Sequence, residues 1–469
     1  MTSLRAFTEI VGADHAMIGA DTARWAQDWT GAYIGAPGVV LRPADTAQVA
    51  AILRKASELR LSVTPVSGNT GLVGGAHTTG GVLLSLDRMS AIREVNPRAR
   101  TATVEAGVIL SSLQEAAEAQ GLIFPLTFGA RGSAMIGGVL STNAGGSNVL
   151  RYGNARDLCL GLEAVLADGR VVNLMSAVHK DNSGLDLRNL LIGAEGQLGV
   201  ITAAVLKLSR KPRAHATAMV AVPALPDALD LLNRLNDVSG GAVEAFEYMP
   251  RVYIQTHLDR VAGAKPPFNE MHDVNILVEL GATAERDATP AADGKTPITA
   301  LLEQELGALL DTGKLLDATV AQSEAQRAEI WARREAAAEL TFWRKPVIDT
   351  DIAVPLDLVP RFLEMADARV TAQDPAAEPF YIAHLGDGNV HYSVYPSDDS
   401  PALKDSIVTI IEDVVTELGG AFSAEHGVGQ SKLATMRRRK DPTALAMMRR
   451  IKQALDPQGI LNPGKTIPD

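Results

Sequence analysis

The side chains best suited to chemistry are three of the nine histidines. His384 and His391 bracket the stretch His384-Leu-Gly-Asp-Gly-Asn-Val-His391. The turn Gly386-Asp387-Gly388-Asn389 lets two strand ends fold back and aim both imidazoles at one point. A second segment offers Glu425-His426-Gly427. Two imidazoles and one carboxylate with an open position suit a catalytic divalent metal such as zinc, manganese or iron. Spacing alone leaves another reading open, in which two hydrogen-bonded histidines simply flank a turn. Asp387 can orient a ligand imidazole, although capping the turn is the commoner use of an aspartate there.

Two glycine-rich loops supply the next signal. In Pro65-Val-Ser67-Gly68-Asn69-Thr70-Gly71-Leu72-Val-Gly74-Gly75 the glycines follow a strand and allow close backbone approach to a ligand. Successive N–H groups in such a turn form an anion-binding nest, to which Ser67, Asn69 and Thr70 add donors, and a diphosphate is the natural occupant. The second loop, Phe128–Ser147, contains Gly132, Ser133, Gly137, Gly138, Thr142, Asn143, Gly145 and Gly146. A packed core has no need of that composition, whereas a flat cofactor pressed against backbone does. Neither loop is a GxGxxG at a strand-to-helix turn with an acidic residue about twenty positions on, so a Rossmann mode of binding is not expected.

Five motifs in order, PVSGNTGLVGGA, IGGVLSTNAGG, LLIGAEGQLGVIT, AHLGDGNVHYSV and SAEHGVGQSK, resemble the FAD-linked 2-hydroxyacid dehydrogenases of the vanillyl-alcohol-oxidase superfamily. This branch contains D-lactate and D-2-hydroxyglutarate dehydrogenases, and the resemblance runs from about Pro65 to Lys465. It implies that Pro65, Ser67, Gly68, Asn69, Thr70, Gly71 and Leu72 hold the FAD diphosphate. Gly132, Ser133, Gly137, Gly138, Thr142, Asn143, Gly145 and Gly146, with Glu195, Gly199, Val200 and Ile201, would line the flavin, and Asn462 would return from the tail. It also implies that His384, His391 and Glu425 bind the metal, zinc first among the candidates, and that His426 is the base. Members that attach FAD covalently use a histidine just after paired glycines of the first loop. His77 lies well past that point, so dissociable FAD is expected. Cys159 lacks activating neighbours and reads as a buried thiol.

These groups belong together chemically. Oxidising a 2-hydroxy acid requires removal of the hydroxyl proton and transfer of the C2 hydride to flavin N5. A chelated metal stabilises the developing alkoxide, and a neutral imidazole accepts the proton. The resemblance assigns Arg334 to a substrate carboxylate. Read alone, Arg334 is equally a helix-surface arginine paired with Glu329 or Glu335. The chain departs from the hydroxyglutarate pattern at three positions: Asp349 replaces a lysine, Ala338 a threonine, and Ser393, in the substrate pocket, an asparagine. Unless Arg344 or Lys345 compensates, the distal carboxylate loses its cation, which favours D-lactate or a larger hydrophobic 2-hydroxy acid over D-2-hydroxyglutarate. Other readings are a glycolate-oxidase-like flavin subunit and a non-redox transferase like the alkylglycerone-phosphate synthases, whose run of adjacent cap histidines is missing. A metal-dependent hydrolase would leave both glycine loops without a ligand.

The remaining composition bounds partners and place. The chain has 469 residues, 46% hydrophobic and 21% charged, with a net charge of −11, which disfavours nucleic acid or an anionic membrane as partner. A single cysteine excludes a disulfide framework and a cysteine-ligated iron–sulfur relay. Electrons must therefore pass directly to an outside acceptor, for which the resemblance suggests an electron-transfer flavoprotein, a quinone or a cytochrome. No apolar run approaches the ~20 residues that span a bilayer, and no secretory leader is apparent, so a cytoplasmic enzyme is expected, with a homodimer as the general case.

Alternating apolar runs and amphipathic stretches predict an α+β protein. Strands are expected at Gly38–Leu41, Ser62–Val66, Val82–Leu86 and Thr101–Glu105, with a helix capped by Asp45. An FAD-binding domain of the two-part vanillyl-alcohol-oxidase type is expected over 1–212. A cap domain over 213–420 would carry an antiparallel sheet with helices on one face, and 421–469 would complete the first domain. Asp227–Leu235 and Glu324–Leu340 read as helices, and Ala282–Pro297 as a mobile loop.

Overall fold

Local patterning builds the first layer. Val39–Leu41 is a strand buried along its length, and Asp45 accepts the Gln48 N–H to open the helix Thr46–Leu59, satisfying one of the free donors at a helix start. Val49, Ile52, Leu53 and Ala56 recur at helical spacing on the buried face of that helix. The computed structural model describes residues 2–469, which divide into two units. One contains residues 2–145, 153–210 and 425–469, and the other residues 146–152 and 211–424. The short segment 146–152 belongs to the second unit.

Beside a two-stranded ribbon that pairs Leu122–Ile123 with Ser209–Arg210, the first unit holds two larger sheets. In the smaller, strands Val39–Leu41, Val82–Ser85 and Val63–Val66 run parallel. The larger has five antiparallel strands in the order 92–96, 101–105, 200–207, 159–165, 171–174. The tail returns to this unit, where the Asn462 N–H donates to Val63 O at 2.8 Å. Lys452 anchors it, with Nζ donating to Gln197 O, Leu461 O and Asp456 Oδ2 at 2.7–2.8 Å. All three ammonium donors are thereby satisfied in a mostly buried setting.

The second unit is built on seven antiparallel strands in the order 317–320, 214–221, 274–282, 243–250, 378–384, 389–395, 348–353. Helices cover both faces, not one as expected. Leu231, Leu302, Phe362 and Ile411 join one core with Val220, Ile276 and Val390. Tyr253, Ile330 and Leu340 join a second core with Met219, Leu277 and Ile382. The reason is visible in the strand Val274–Ala282, buried at every position, which is the pattern of a strand covered on both sides. The expected helix Glu324–Leu340 is two, Glu324–Glu335 and Ala337–Thr341. The strand before Ala282–Pro297 runs through Ala282, and one helical turn, Glu285–Ala288, interrupts that loop.

One charged network sits inside this unit. Donor atoms of His215, Glu244 and Glu279 lie within 4.8 Å of one another, the kind of grouping that can hold a metal. Both carboxylates are already neutralised, however. Arg327 makes two 2.7 Å bonds to Glu279, which also accepts from Thr217 and Trp331. Arg151, Tyr152 and His215 serve Glu244. This is an ion-pair network, and removing one cation should strand a buried charge. Arg327→Ala should therefore cost about 3 kcal/mol, read as a lower urea midpoint at constant slope. An unchanged midpoint would show that Glu279 is stabilised by other means.

Candidate active site

In the first unit the two glycine loops meet. A Cβ on Gly68 would lie 2.0 Å from Ser133 O, and one on Gly138 would lie 3.2 Å from the Ser67 Cβ. Gly137 is closed off by Ala106, so Gly137 and Gly68 are glycines because backbones touch there. Gly71, Gly129 and Gly132 are different, for a Cβ on any of them meets nothing within 4 Å. Such a cradle, with main chain bare on its open side, fits a flat ligand carrying an anionic group. Asn69 and Asn143 both take left-handed backbone, which asparagine tolerates better than most residues. Their side chains brace the loops: Asn69 Nδ2 donates to Gln27 O, and Asn143 Oδ1 accepts the Arg156 N–H. Thr142 turns its hydroxyl back to Gly138 O.

Pro65, in the strand Val63–Val66, lies beside Gly196, whose Cβ would fall 2.5 Å from the proline ring. Gly199 backs onto Leu191, while Val200 and Ile201 are buried in the five-stranded sheet. Asn462 ties these pieces together, donating through Nδ2 to Gly75 O at 3.1 Å and Glu195 O at 2.7 Å. Its Oδ1 accepts from Lys465, a lysine that burial lowers to about 8. The Glu195 carboxylate is turned toward residues 428 and 429, whose N–H groups it accepts at 2.8 Å. Glu425 packs on Gly145, where any Cβ would stand 2.6 Å from its Oε1. Glu425 and His426 both belong to this unit, as does Gly145, whereas Gly146 opens the segment 146–152 of the other. Cys159 is fully enclosed, and burial pushes its thiol up to about 12, so it is inert at neutral pH. His77 bonds Ile34 O through Nε2.

In the second unit, strand alternation gathers the polar groups on one face of the sheet. His384 pairs across strands with Glu247, His391 with Asp351 and Ser393 with Asp349. Directly opposed residues share a face, and the intervening Ala383, Val390, Tyr392 and Val394 go to the opposite core. The turn after His384 is tight, with the Asp387 and Gly388 N–H groups both donating to His384 O. Gly388 has φ +81, and a Cβ there would fall 2.3 Å from Val354 O. Asp387 accepts the Asn389 N–H, a turn role. The result is two imidazoles with ring centroids 5.3 Å apart, a pair suited to supplying two nitrogens to one divalent ion.

Arg334 is not a surface arginine. It lies 7% exposed at the end of the helix Glu324–Glu335, and its Nε donates to Glu247 Oε2 at 2.6 Å. The same carboxylate takes His384 Nδ1 at 2.9 Å. Burial works to raise the Glu247 carboxyl, yet the adjoining His384 and Arg334 charges outweigh it and hold the group at about 2. The Nδ1 bond to a carboxylate orients the ring, and the Arg334 Nη2 lies 3.3 Å from its Nε2. Sequence reading missed Glu247. The available signal was an acidic residue inside the apolar strand Val243–Pro250, every position of which is buried.

Further along the face, Ser393 Oγ donates to Asp349 Oδ1 at 2.7 Å. Arg344 bonds Glu378 at 2.5 Å and stacks 4.0 Å over the Tyr395 ring, while Lys345 sits over Phe342. Ala338 belongs to the short helix Ala337–Thr341.

Comparison with known proteins places this arrangement. Residues 37–175 match the FAD binding domain family, and residues 211–466 match the C-terminal domain of FAD linked oxidases. The chain is 33% identical to D-2-hydroxyglutarate dehydrogenase of Xanthomonas citri pv. viticola, over 95% of this chain and 92% of that one. It is 35% identical to the mitochondrial D-2-hydroxyglutarate dehydrogenase of Bos taurus, over 94% and 79%. A mitochondrial protein of Schizosaccharomyces pombe, provisionally named a D-lactate dehydrogenase, is 32% identical over 99% and 90%. Among solved structures, p-cresol methylhydroxylase superposes with a TM-score of 0.74 at 16% identity, covering 100% of this chain and 96% of that one. Alkyldihydroxyacetonephosphate synthase gives 0.73 at 15%, covering 98% and 84%. At those identities the structural matches speak to the fold alone. With full-length relatives above 30% identity and both family patterns in place, the chain belongs to the FAD-linked oxidases of the vanillyl-alcohol-oxidase superfamily, in the group of FAD-dependent D-2-hydroxyacid dehydrogenases.

Proposed function

We propose that this enzyme oxidises a D-2-hydroxy acid with a single carboxylate, D-lactate or a larger apolar homologue, to the 2-oxo acid. FAD, held without a covalent link, supplies a two-electron acceptor at N5 when bound. His384, His391 and Glu425 are the residues that would hold a divalent metal, zinc foremost with manganese and iron as alternatives, and its chemistry there is that of a Lewis acid. His426 takes the hydroxyl proton as the general base. Arg334 receives the substrate carboxylate, its guanidinium oriented by the Glu247 bond at Nε. Ser393 lies farther along the same sheet face as part of the pocket wall. An electron-transfer flavoprotein, a quinone or a cytochrome then accepts the electrons.

The observation that carries the reading is one sheet face that collects two imidazoles, a buried arginine and the carboxylate that orients both. Preference for a monocarboxylate rests on the other end of that face. Asp349 stands where a cation would be needed, and Arg344 is committed to Glu378. An anion beside a second substrate carboxylate costs affinity. The names of the Xanthomonas and Bos taurus relatives favour D-2-hydroxyglutarate instead, and that of the Schizosaccharomyces pombe relative favours D-lactate.

Anaerobic titration of the metal-replete flavoprotein with D-lactate, L-lactate and D-2-hydroxyglutarate decides between them. D-lactate should bleach the flavin at lower concentration than D-2-hydroxyglutarate, and L-lactate should leave it yellow. A higher catalytic efficiency for D-2-hydroxyglutarate would overturn the monocarboxylate assignment, and a flavin bleached by none would overturn the activity.

A further inference from the structure

The loop that carries His426 is held at its far end by a carboxylate from a distant part of the chain. The Val428 N–H donates to Glu195 Oε1 and the Gly429 N–H to Glu195 Oε2, both at 2.8 Å. Glu195 is 8% exposed and its own backbone is fixed on both sides. Its N–H donates to Ser141 O at 2.8 Å, and its carbonyl accepts from Asn462. It adopts φ 49, a conformation that a non-glycine residue keeps only where its surroundings impose it. Gly427, at φ +80, passes so near that a Cβ would stand 2.9 Å from Glu195 Oε1. Beyond the clamp, the Gln430 and Ser431 N–H groups donate to Val73 O in the first glycine loop, and Gly429 O accepts the Thr466 N–H.

We infer that Glu195 is a positioning residue for His426, its two carboxylate oxygens gripping the second and third residues after the base. The geometry requires a carboxylate. The two N–H groups go to separate oxygens, an arrangement that a carboxyl group with two oxygens offers and the amide of Gln does not. The side chain acts through the loop and takes no proton from substrate. The inference rests on the reading of His426 as the base, since a clamp on a loop without a catalytic group would affect folding alone.

The test uses FAD-loaded full-length protein in three forms: wild type, Glu195→Gln and Glu195→Ala. Two quantities are read: hydrogen exchange of the Val428 and Gly429 amides, and the limiting rate of anaerobic flavin reduction with its substrate dissociation constant. Exchange should be at least about tenfold faster in Glu195→Ala, with Glu195→Gln intermediate because one acceptor survives. The limiting rate should fall roughly 10- to 100-fold in the same order, as small misplacements of a reacting group do. The substrate dissociation constant should change by less than about twofold, since binding groups are not displaced. Unchanged exchange, or loosened exchange with an unchanged limiting rate, would overturn the positioning role. So would a Glu195→Gln protein that matches wild type in both readouts. A wild-type flavin reduced by no D-2-hydroxy acid would instead overturn the base assignment, even where exchange upholds the clamp.

Discussion

His426→Ala is expected to slow flavin reduction by a D-2-hydroxy acid about 10³-fold, within the 10²–10⁴ that positioned general bases contribute, while FAD stays bound. The bound FAD is as important to the argument as the lost rate. The loop containing His426 is anchored by main-chain N–H groups of residues 428–431 and by the carbonyl of Gly429, none of which uses the imidazole. The glycine cradle formed by residues 65–75 and 128–138 is braced by Asn69, Asn143 and Asn462, again without it. The substitution should therefore remove a proton acceptor and leave the scaffold. Stopped-flow reduction under anaerobic conditions gives the rate, and the visible spectrum gives flavin content. A variant reduced at near wild-type speed would assign the base elsewhere.

Glu247→Ala should produce the largest loss of stability and, on the proposed metal site, a loss of bound metal as well. The carboxylate it removes is 1% exposed and joins Arg334 to His384. Taking away one member of a buried charge network leaves the others desolvated and unpaired, at a cost of roughly 3–5 kcal/mol. The second consequence concerns His384, whose Nδ1 partner disappears. Loss of such an outer hydrogen bond lowers metal affinity about 10- to 100-fold. Elemental analysis after dialysis against a weak chelator measures that, and urea unfolding measures the stability. The double variant Glu247→Met with Arg334→Met separates the two effects. Apolar replacement of both partners should recover most of the stability, yet the enzyme should still fail to turn over, because the arginine proposed to bind the substrate carboxylate is gone. Full metal retention in Glu247→Ala would show that His384 is oriented without it.

Much of this was legible in the residue order. Asp45 capping Thr46–Leu59 and the run of short strands follow from local pattern, since caps and apolar periodicity act within a few residues. The glycine loops were also readable, because main chain that must lie bare against a ligand tolerates few side chains. The histidine turn was readable as a turn, with Gly388 at φ +81. What its imidazoles do was not. Spacing allowed either a metal pair or two ordinary hydrogen-bonded histidines, and only cross-strand register made His384 the partner of Glu247, 137 positions away. Arg334 carried the same ambiguity on its helix until tertiary packing buried it. Glu195 shows the limit most sharply. Its motif marked it as part of the cofactor wall, yet the carboxylate reaches the loop at Val428, 233 residues on. Local sequence governs what a segment becomes, because caps, turns and periodicity are short-range. Which buried charge meets which is decided by sheet register and chain return, where desolvation forces each carboxylate to find its donors wherever the fold has carried them.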